Sequence, residues 1–467
     1  MNTDNLTYQL LKSWKTDSGI CSVAELKDWI YTLNMTTKIN IAETKIDSDS
    51  AWIFDEEKGC ISNQKKAFFS VKGMRYYVDN KLVEEQPIII QDEIGFLGII
   101  AKEIDNNLYF LMQAKIEPGN VNGVQISPTI QATKSNFTCA HGGNVPLYLD
   151  WFKNISDNTT VLYDQIQSEQ GNRFIGKRNR NIIILIKDNI EIYPNFRWMT
   201  LGQIKELMKD DNLVNMDSRT VLSGLLTILN IKDKEIIEQE ILDKALGASI
   251  LAHDDSAKAI SLLNNYKMFH DIRKEYVNLR QLKNWTVNSC GVFCDNSDFD
   301  VKYYNIEIEG REVKKWQQPL FKAKSKALFV LFTRINNGTR EFLIKLCPEI
   351  GCFDKAEFGP SIQIANYQSC NNKENTLFDI FSKYERSKNN IIADVVLSEE
   401  GGRFYHEENR NMIVEIDDND IPKTNQDYIW VNYATLNSLI KSNNILNIQL
   451  RNLLSLLPID NVRNKND

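Results

Sequence analysis

Two stretches of this chain match each other too closely to be independent. Residues 113–136 read QAKIEPGNVNGVQISPTIQATKSN, and residues 344–365 read IKLCPEIGCFDKAEFGPSIQIA. Glu117 to Pro128 is a step of 11, and so is Glu349 to Pro360. The copies lie 232 apart, which pairs Gln131 with Gln363, Gln86-Pro87 with Gln318-Pro319, Trp198 with Trp430, Asn212 with Asn444 and Arg219 with Arg451. At a spacing of 230, Ser168-Glu169-Gln170-Gly171-Asn172-Arg173-Phe174 matches Ser398-Glu399-Glu400-Gly401-Gly402-Arg403-Phe404, and Asn179-Arg180-Asn181 matches Asn409-Arg410-Asn411. One small indel accounts for the change. The chain is a tandem duplication. Its period is far too long for a solenoid of small repeats, so each copy is expected to be a module with its own core.

The rest of the chain divides around that repeat. Residues 1–46 read as a helical arm: Leu10, Leu11 and Trp14, then Val23, Leu26, Trp29, Ile30 and Leu33, fall at helical spacing, with Ser22 as a cap. The arm has no evident counterpart before the second copy, and it suits a dimer contact or the cover of a sheet edge. The first module spans 47–231, with short strands expected around 68–78, 87–91, 96–102 and 109–116, and a buried one at 182–186. Two helices close it, carrying Leu201, Ile204, Leu207 and Met208, then Val221, Leu222, Leu225, Leu226 and Leu229, the second capped by Asp217. Residues 232–280 form a helical connector and 281–460 the second module, while the polar end, 461–467, is expected to fray. The fold class is α+β.

Composition narrows the function. A net charge of −7 over 467 residues, without a basic block, argues against nucleic acid as a partner. No apolar run reaches the ~20 residues that span a bilayer, and no signal peptide is evident at Met1. The eight cysteines show no pairing pattern and read as reduced thiols of a cytosolic protein. Cys290, Cys294, Cys347 and Cys352 have spacings unsuited to a zinc site, so no metal is expected.

Trp52 with Gly59, Gln86-Pro87, Gly95 to Gly98, Glu117-Pro118-Gly119-Asn120, Ser127-Pro128-Thr129, Gln131-Ala132-Thr133 and Ser135-Asn136 together resemble the NDP-hexose 2,3-dehydratases of deoxysugar biosynthesis. So do 167–174, Lys177-Arg178-Asn179-Arg180-Asn181, Asn215-Met216-Asp217 and Arg219. The resemblance covers nearly the whole chain. It implies two Nudix-like modules, a homodimer, no cofactor, and a dTDP-4-keto-6-deoxy-D-glucose substrate that loses its C2 hydroxyl. Two rivals remain in view. One is a nucleotide-sugar-binding protein without catalysis. The other is a Nudix pyrophosphohydrolase, but its metal-binding carboxylate signature is absent; Glu399-Glu400-Gly401 is the nearest fragment and no Arg-Glu pair precedes it. In the second copy Pro348-Glu349-Ile350-Gly351 replaces Glu117-Pro118-Gly119-Asn120, and no Ser-Asn pair follows Ala365, so two unequal pockets are expected.

Elimination across C2–C3 of a 4-keto sugar needs a base for the C3 proton, a stabiliser for the enolate and an acid for the departing hydroxyl. The base is sought among Glu117, His141 and Glu169. Glu117 stands at a strand end, where it serves either as base or as a cap of its turn. His141 lies in a glycine-bearing loop, as base, acid or solvated side chain. Glu169 serves as base or pairs with Arg173 or Arg178, and His406 is the second copy's equivalent candidate. Lys134, Arg173, Arg178, Arg180 and Arg403 are candidate diphosphate partners, with N–H groups from Gly401 and Gly402. Trp52 and Trp285 stand before each module's first strand, either to stack on thymine or to fill the core. Thr133, Ser135 and Asn136 are candidates for sugar hydroxyls or phosphate. Ala132, Gln363, Ile364, Ala365 and Phe404, which flank these positions in the two copies, complete the binding set.

Overall fold

The computed structural model describes residues 3–47, 49–65, 68–133, 145–310, 313–366, 376–422 and 425–460. Each half is built on a mixed sheet with seven strands among the described residues. In the first, Arg178–Ile186 runs parallel to Gly95–Ile104, with Asn179 opposite Gly95. Asn107–Ile116, Thr159–Ser168 and Phe196–Thr200 extend it antiparallel. The second half repeats the plan, with Glu408–Glu415 parallel to Ala327–Asn336. The near-continuous apolar run Ile182 to Ile186 is explained by burial on both faces: Ile183 and Leu185 face one core cluster, Ile182, Ile184 and Ile186 another. The α+β class and the repeated plan are therefore present.

Two further sheets join the halves by exchanging strands. Ile39–Thr44 pairs with Phe299–Ile308 of the second half. Ile272–Val277, which opens the second half, pairs back with Ser70–Val78 of the first. Each of these strands follows a helix, Val23–Thr36 or Ser256–Phe269, and both elements recur 233 residues apart. The arm therefore has a counterpart, contrary to the sequence reading, in all but its first helix. Leu26 and Ile30 are buried on one helix, Ala259 and Leu263 on the other, again 233 apart. Ser22 caps the first, accepting from the Glu25 N–H while the Glu25 carboxylate accepts from the Ser22 N–H. The unpaired helix, Thr3–Lys15, buries Leu10, Leu11 and Trp14 against the first half's sheet and the helix Leu201–Leu207. It covers its own chain.

The expectation of one core per module also changes. A single apolar cluster takes Leu97, Phe110 and Ile183 from the first half and Phe329, Phe342 and Ile413 from the second. Ile237, Leu246 and Leu263 of the connector join the same cluster. The connector is thus core structure, folded as Lys234–Glu240, Lys244–Ile250 and Ser256–Phe269.

Candidate functional site

The strand Asn107–Ile116 ends in the 117–120 turn, and the strand Thr339–Cys347 runs on to the equivalent 349–352 turn. Neither turn docks on its own half. The Gly119 N–H donates to the Gly401 carbonyl at 2.7 Å, and the His406 N–H donates to the Gly119 carbonyl at 2.9 Å. Reciprocally, the Gly351 N–H donates to the Gly171 carbonyl at 2.6 Å and the Gly176 N–H to the Gly351 carbonyl at 2.7 Å. The approach demands glycine: a Cβ on Gly119 would lie 1.5 Å from the Phe404 carbonyl oxygen, and one on Gly351 1.7 Å from that of Phe174. The two most alike motifs of each copy therefore meet crosswise, and each centre is completed by the other half.

Within each centre a glutamate is braced in the same way. Gln131 Nε2 donates to Glu117 Oε2 at 3.1 Å, while Asn215 Nδ2 holds Gln131 Oε1 at 3.2 Å. Gln363 Nε2 donates to Glu349 Oε1 at 2.7 Å, and Asn447 Nδ2 holds Gln363 Oε1 at 3.0 Å. Asn215 and Asn447 are also the N-caps of Met216–Leu222 and Ile448–Ser455, so the cap is Asn215 and not Asp217.

The charges differ sharply between the centres. Lys115 Nζ lies 3.3 Å from Glu117 Oε1, whereas Cys347 occupies the matching position beside Glu349. Without that cation, burial pushes Glu349 up to about 8. Around Glu117 stand three more acids. Burial, and then the charge of Glu117, raise Glu400 to about 7. Burial and then Glu400 raise Glu169 to about 8. Burial and the charges of Glu169, Glu400 and Glu117 lift Asp217 well above the usual carboxylate range. At the other centre the residues matching Glu400 and Asp217 are amides, Gln170 and Gln449.

The remaining candidates fall unevenly. Glu169 accepts from Asn179 Nδ2 rather than pairing with Arg173 or Arg178, and its Oε2 has no partner. Trp52 is only 2% exposed and packs on Phe69 at 4.8 Å; Trp285 packs on Phe299 at 5.4 Å. Each ring thus has an aromatic neighbour from its own half. Arginines from the opposite half lie over those phenylalanines, Arg403 over Phe69 at 4.5 Å and Arg173 over Phe299 at 4.2 Å. Arg173 also pairs with Glu407 at 3.6 Å, Arg180 is tied to Asp164, and Arg178 lies 3.8 Å over Phe353. Arg403 is held by a neutral partner, Gln91 Oε1 at 3.2 Å. The Gly402 N–H is already spent on Glu400 Oε1 at 2.8 Å, the Gly401 carbonyl receives Gly119, and Phe404 packs edge-on against Phe174. His406 stacks on Tyr405 at 4.1 Å, and burial lowers its pKa. Ala132 ends one sheet strand and Thr133 follows it; Gln363 and Ile364 end the equivalent strand and Ala365 follows that. Lys134, Ser135, Asn136 and His141 lie outside the described residues. Among the described residues no group of His, Cys, Asp or Glu side chains is arranged to hold a metal ion, and no helix is long and apolar enough to cross a membrane.

A model of the NDP-hexose 2,3-dehydratase family matches residues 23–225 and again 256–457, the same two spans that the exchanged helices open. The chain belongs to the NDP-hexose 2,3-dehydratase family. Three relatives carry the description dTDP-4-dehydro-6-deoxy-alpha-D-glucopyranose 2,3-dehydratase. The one from Saccharopolyspora spinosa is 34% identical over 451 residues, covering 94% of this chain and 92% of its own length. That from Streptomyces violaceoruber is 32% identical, with 93% and 97% covered, and that from Amycolatopsis orientalis 31% identical, with 95% and 92% covered. Within this 2,3-dehydratase, Lys115, Asp217 and Glu400 are the charged neighbours of Glu117 that sequence reasoning did not put among the candidates. Lys115 precedes Glu117 by two at the end of a strand, a step that keeps neighbouring side chains on one face. Glu400 was visible as the one acid facing an amide within a matched heptapeptide, opposite Gln170.

Proposed function

We propose that the Glu117 centre removes the C2 hydroxyl of dTDP-4-keto-6-deoxy-D-glucose, with Glu117 as the base. The observation that carries this reading is the setting of Glu117. It is 8% exposed, paired to Lys115 at 3.3 Å and braced by Gln131, a carboxylate held beside a cation at the end of its strand. Glu349, raised to about 8, is protonated at neutral pH and is a poor base. Glu117 takes the C3 proton, the electron pair moves onto the C4 oxygen as an enolate, and the C2–O bond then breaks as C2=C3 forms. The product is an enol that tautomerises to the 3,4-diketone. The reading makes the protein a lyase with Nudix-like repeats, a cytosolic homodimer whose Arg403 faces the diphosphate.

The test incubates the protein with this substrate, with and without EDTA, and follows products by mass spectrometry. The expected result is loss of one water regardless of chelator, with Glu117→Gln slower by roughly 10²–10⁴-fold and ligand binding kept. Release of dTMP or sugar phosphate overturns the reading in favour of pyrophosphate hydrolysis. Binding without turnover leaves the non-catalytic rival standing.

A further inference from the structure

Glu117 accounts for one proton of the elimination; the departing hydroxyl needs another, and nothing above assigns its source. We propose that Glu400, reached from the opposite half of the chain, is the proton donor to the C2 hydroxyl. This rests on the dehydratase reading and deepens it.

Four observations lead there. The docking of Gly119 on Gly401 brings the 117–120 turn against the loop bearing Glu400; a Cβ on Gly401 would sit 3.0 Å from the Glu117 Cβ. Of the three acids, Glu169 is 6% exposed and Asp217 is 2% exposed, whereas Glu400 is only half-buried. A carboxyl here is particular to this centre: the counterpart position holds Gln170, which donates to Glu399, while Glu400 Oε1 accepts from the Gly402 N–H at 2.8 Å. Finally, Glu169 Oε2 and Asp217 Oδ1 are buried without hydrogen-bond partners in the protein, so the groups behind Glu400 are acidic, which favours its protonated form. A carboxylate paired to a lysine, with a second carboxyl in an acidic setting on the loop packed against it, is the arrangement that a paired base and acid require.

The step balances. The C3–H bond breaks with its proton passing to the Glu117 carboxylate. The C2–O bond breaks with the Glu400 proton joining the hydroxyl to form water, and the C3 electron pair becomes C2=C3. Glu117 ends protonated and Glu400 ionised, and one proton returned between them through water resets the pair. The charged groups around Glu400 are Lys115, Glu117, Glu169, Lys177, Asp217 and Arg403.

The experiment compares wild type with Glu400→Gln on two substrates, dTDP-4-keto-6-deoxyglucose and its 2-deoxy-2-fluoro analogue, whose fluoride leaves without a proton. The expected result is a loss of roughly 10²-fold on the hydroxyl substrate, from removal of one positioned proton donor, with fluoride release within a few-fold of wild type. Glu400→Asp is expected to recover part of the loss, and wild-type kcat to fall as pH rises past about 7, a limb missing in Glu400→Gln. Equal loss on both substrates would mark Glu400 as merely structural and overturn the proposal, as would undiminished turnover of the hydroxyl substrate. A wild type that binds both compounds and releases neither water nor fluoride sinks the dehydratase reading itself.

Discussion

Position 169 shows how much a single buried acid tells. Its carboxyl is raised to about 8 and keeps one oxygen unpaired, so in the folded chain it holds a proton that the unfolded chain releases near its ordinary value. Between about pH 4 and pH 8 the native state binds more protons than the unfolded one, so this contribution is present in full at low pH and lost as pH rises through the folded value. Thermal unfolding is expected at a lower temperature at pH 8 than at pH 5. Glu169→Gln, which keeps the oxygen that Asn179 binds, should shrink that difference, by an amount on the order of a few kcal/mol. An unchanged difference would mean that Glu169 is ionised in the fold. Glu117 was legible from its place at a strand end beside a Pro-Gly turn. Glu169 was legible only as an acid near arginines, and its true partner, Asn179, belongs to the next strand. Asp217 read as a cap because a carboxyl ahead of an apolar helix normally is one. The cap falls to Asn215, whose side chain accepts from the Ser218 N–H, leaving Asp217 facing the acids.

At the level of elements, the crossed turns separate the two centres experimentally. A Cβ on either glycine collides with a carbonyl of the opposite half. Gly119→Ala and Gly351→Ala should therefore destabilise the protein similarly, each by ~2–4 kcal/mol, the range for an unrelieved backbone clash. Only Gly119→Ala should also abolish turnover in the fraction that remains folded, measured under conditions where both variants retain native circular dichroism. Equal loss of turnover would place working chemistry at both centres. The strands and late helices were readable because period-two and helical apolar spacing survive in both copies. The helix pair Val23–Thr36 and Ser256–Phe269 was not recognised as a repeat, since its buried positions correspond only as apolar residues, Leu26 with Ala259 and Ile30 with Leu263, and identity survives at just Ala24/Ala257 and Met35/Met268. Which loop docks on which turn was also invisible. Contacts between copies leave no periodic trace within either one.

Across the whole molecule, a core cluster shared by both halves and two exchanged strands tie the halves into a single cooperative unit. Unfolding in urea is expected to give coincident transitions by fluorescence and circular dichroism, without a plateau from one surviving half. Two resolved transitions would show that the halves are separable after all. The composition that excluded nucleic acid and membrane spans said nothing of this interlock, since composition is blind to which strand completes which sheet. The crossing of the 117–120 and 349–352 turns has a further consequence. A solitary repeat would own half of two centres and the whole of neither, so it would have to find a twin before it could do any chemistry. Joining two copies in one polypeptide removes the obligation for those twins to be identical. Lysine at 115 no longer compels lysine at 347, nor does glutamate at 400 compel glutamate at 170, and each centre is free to be tuned without altering the other.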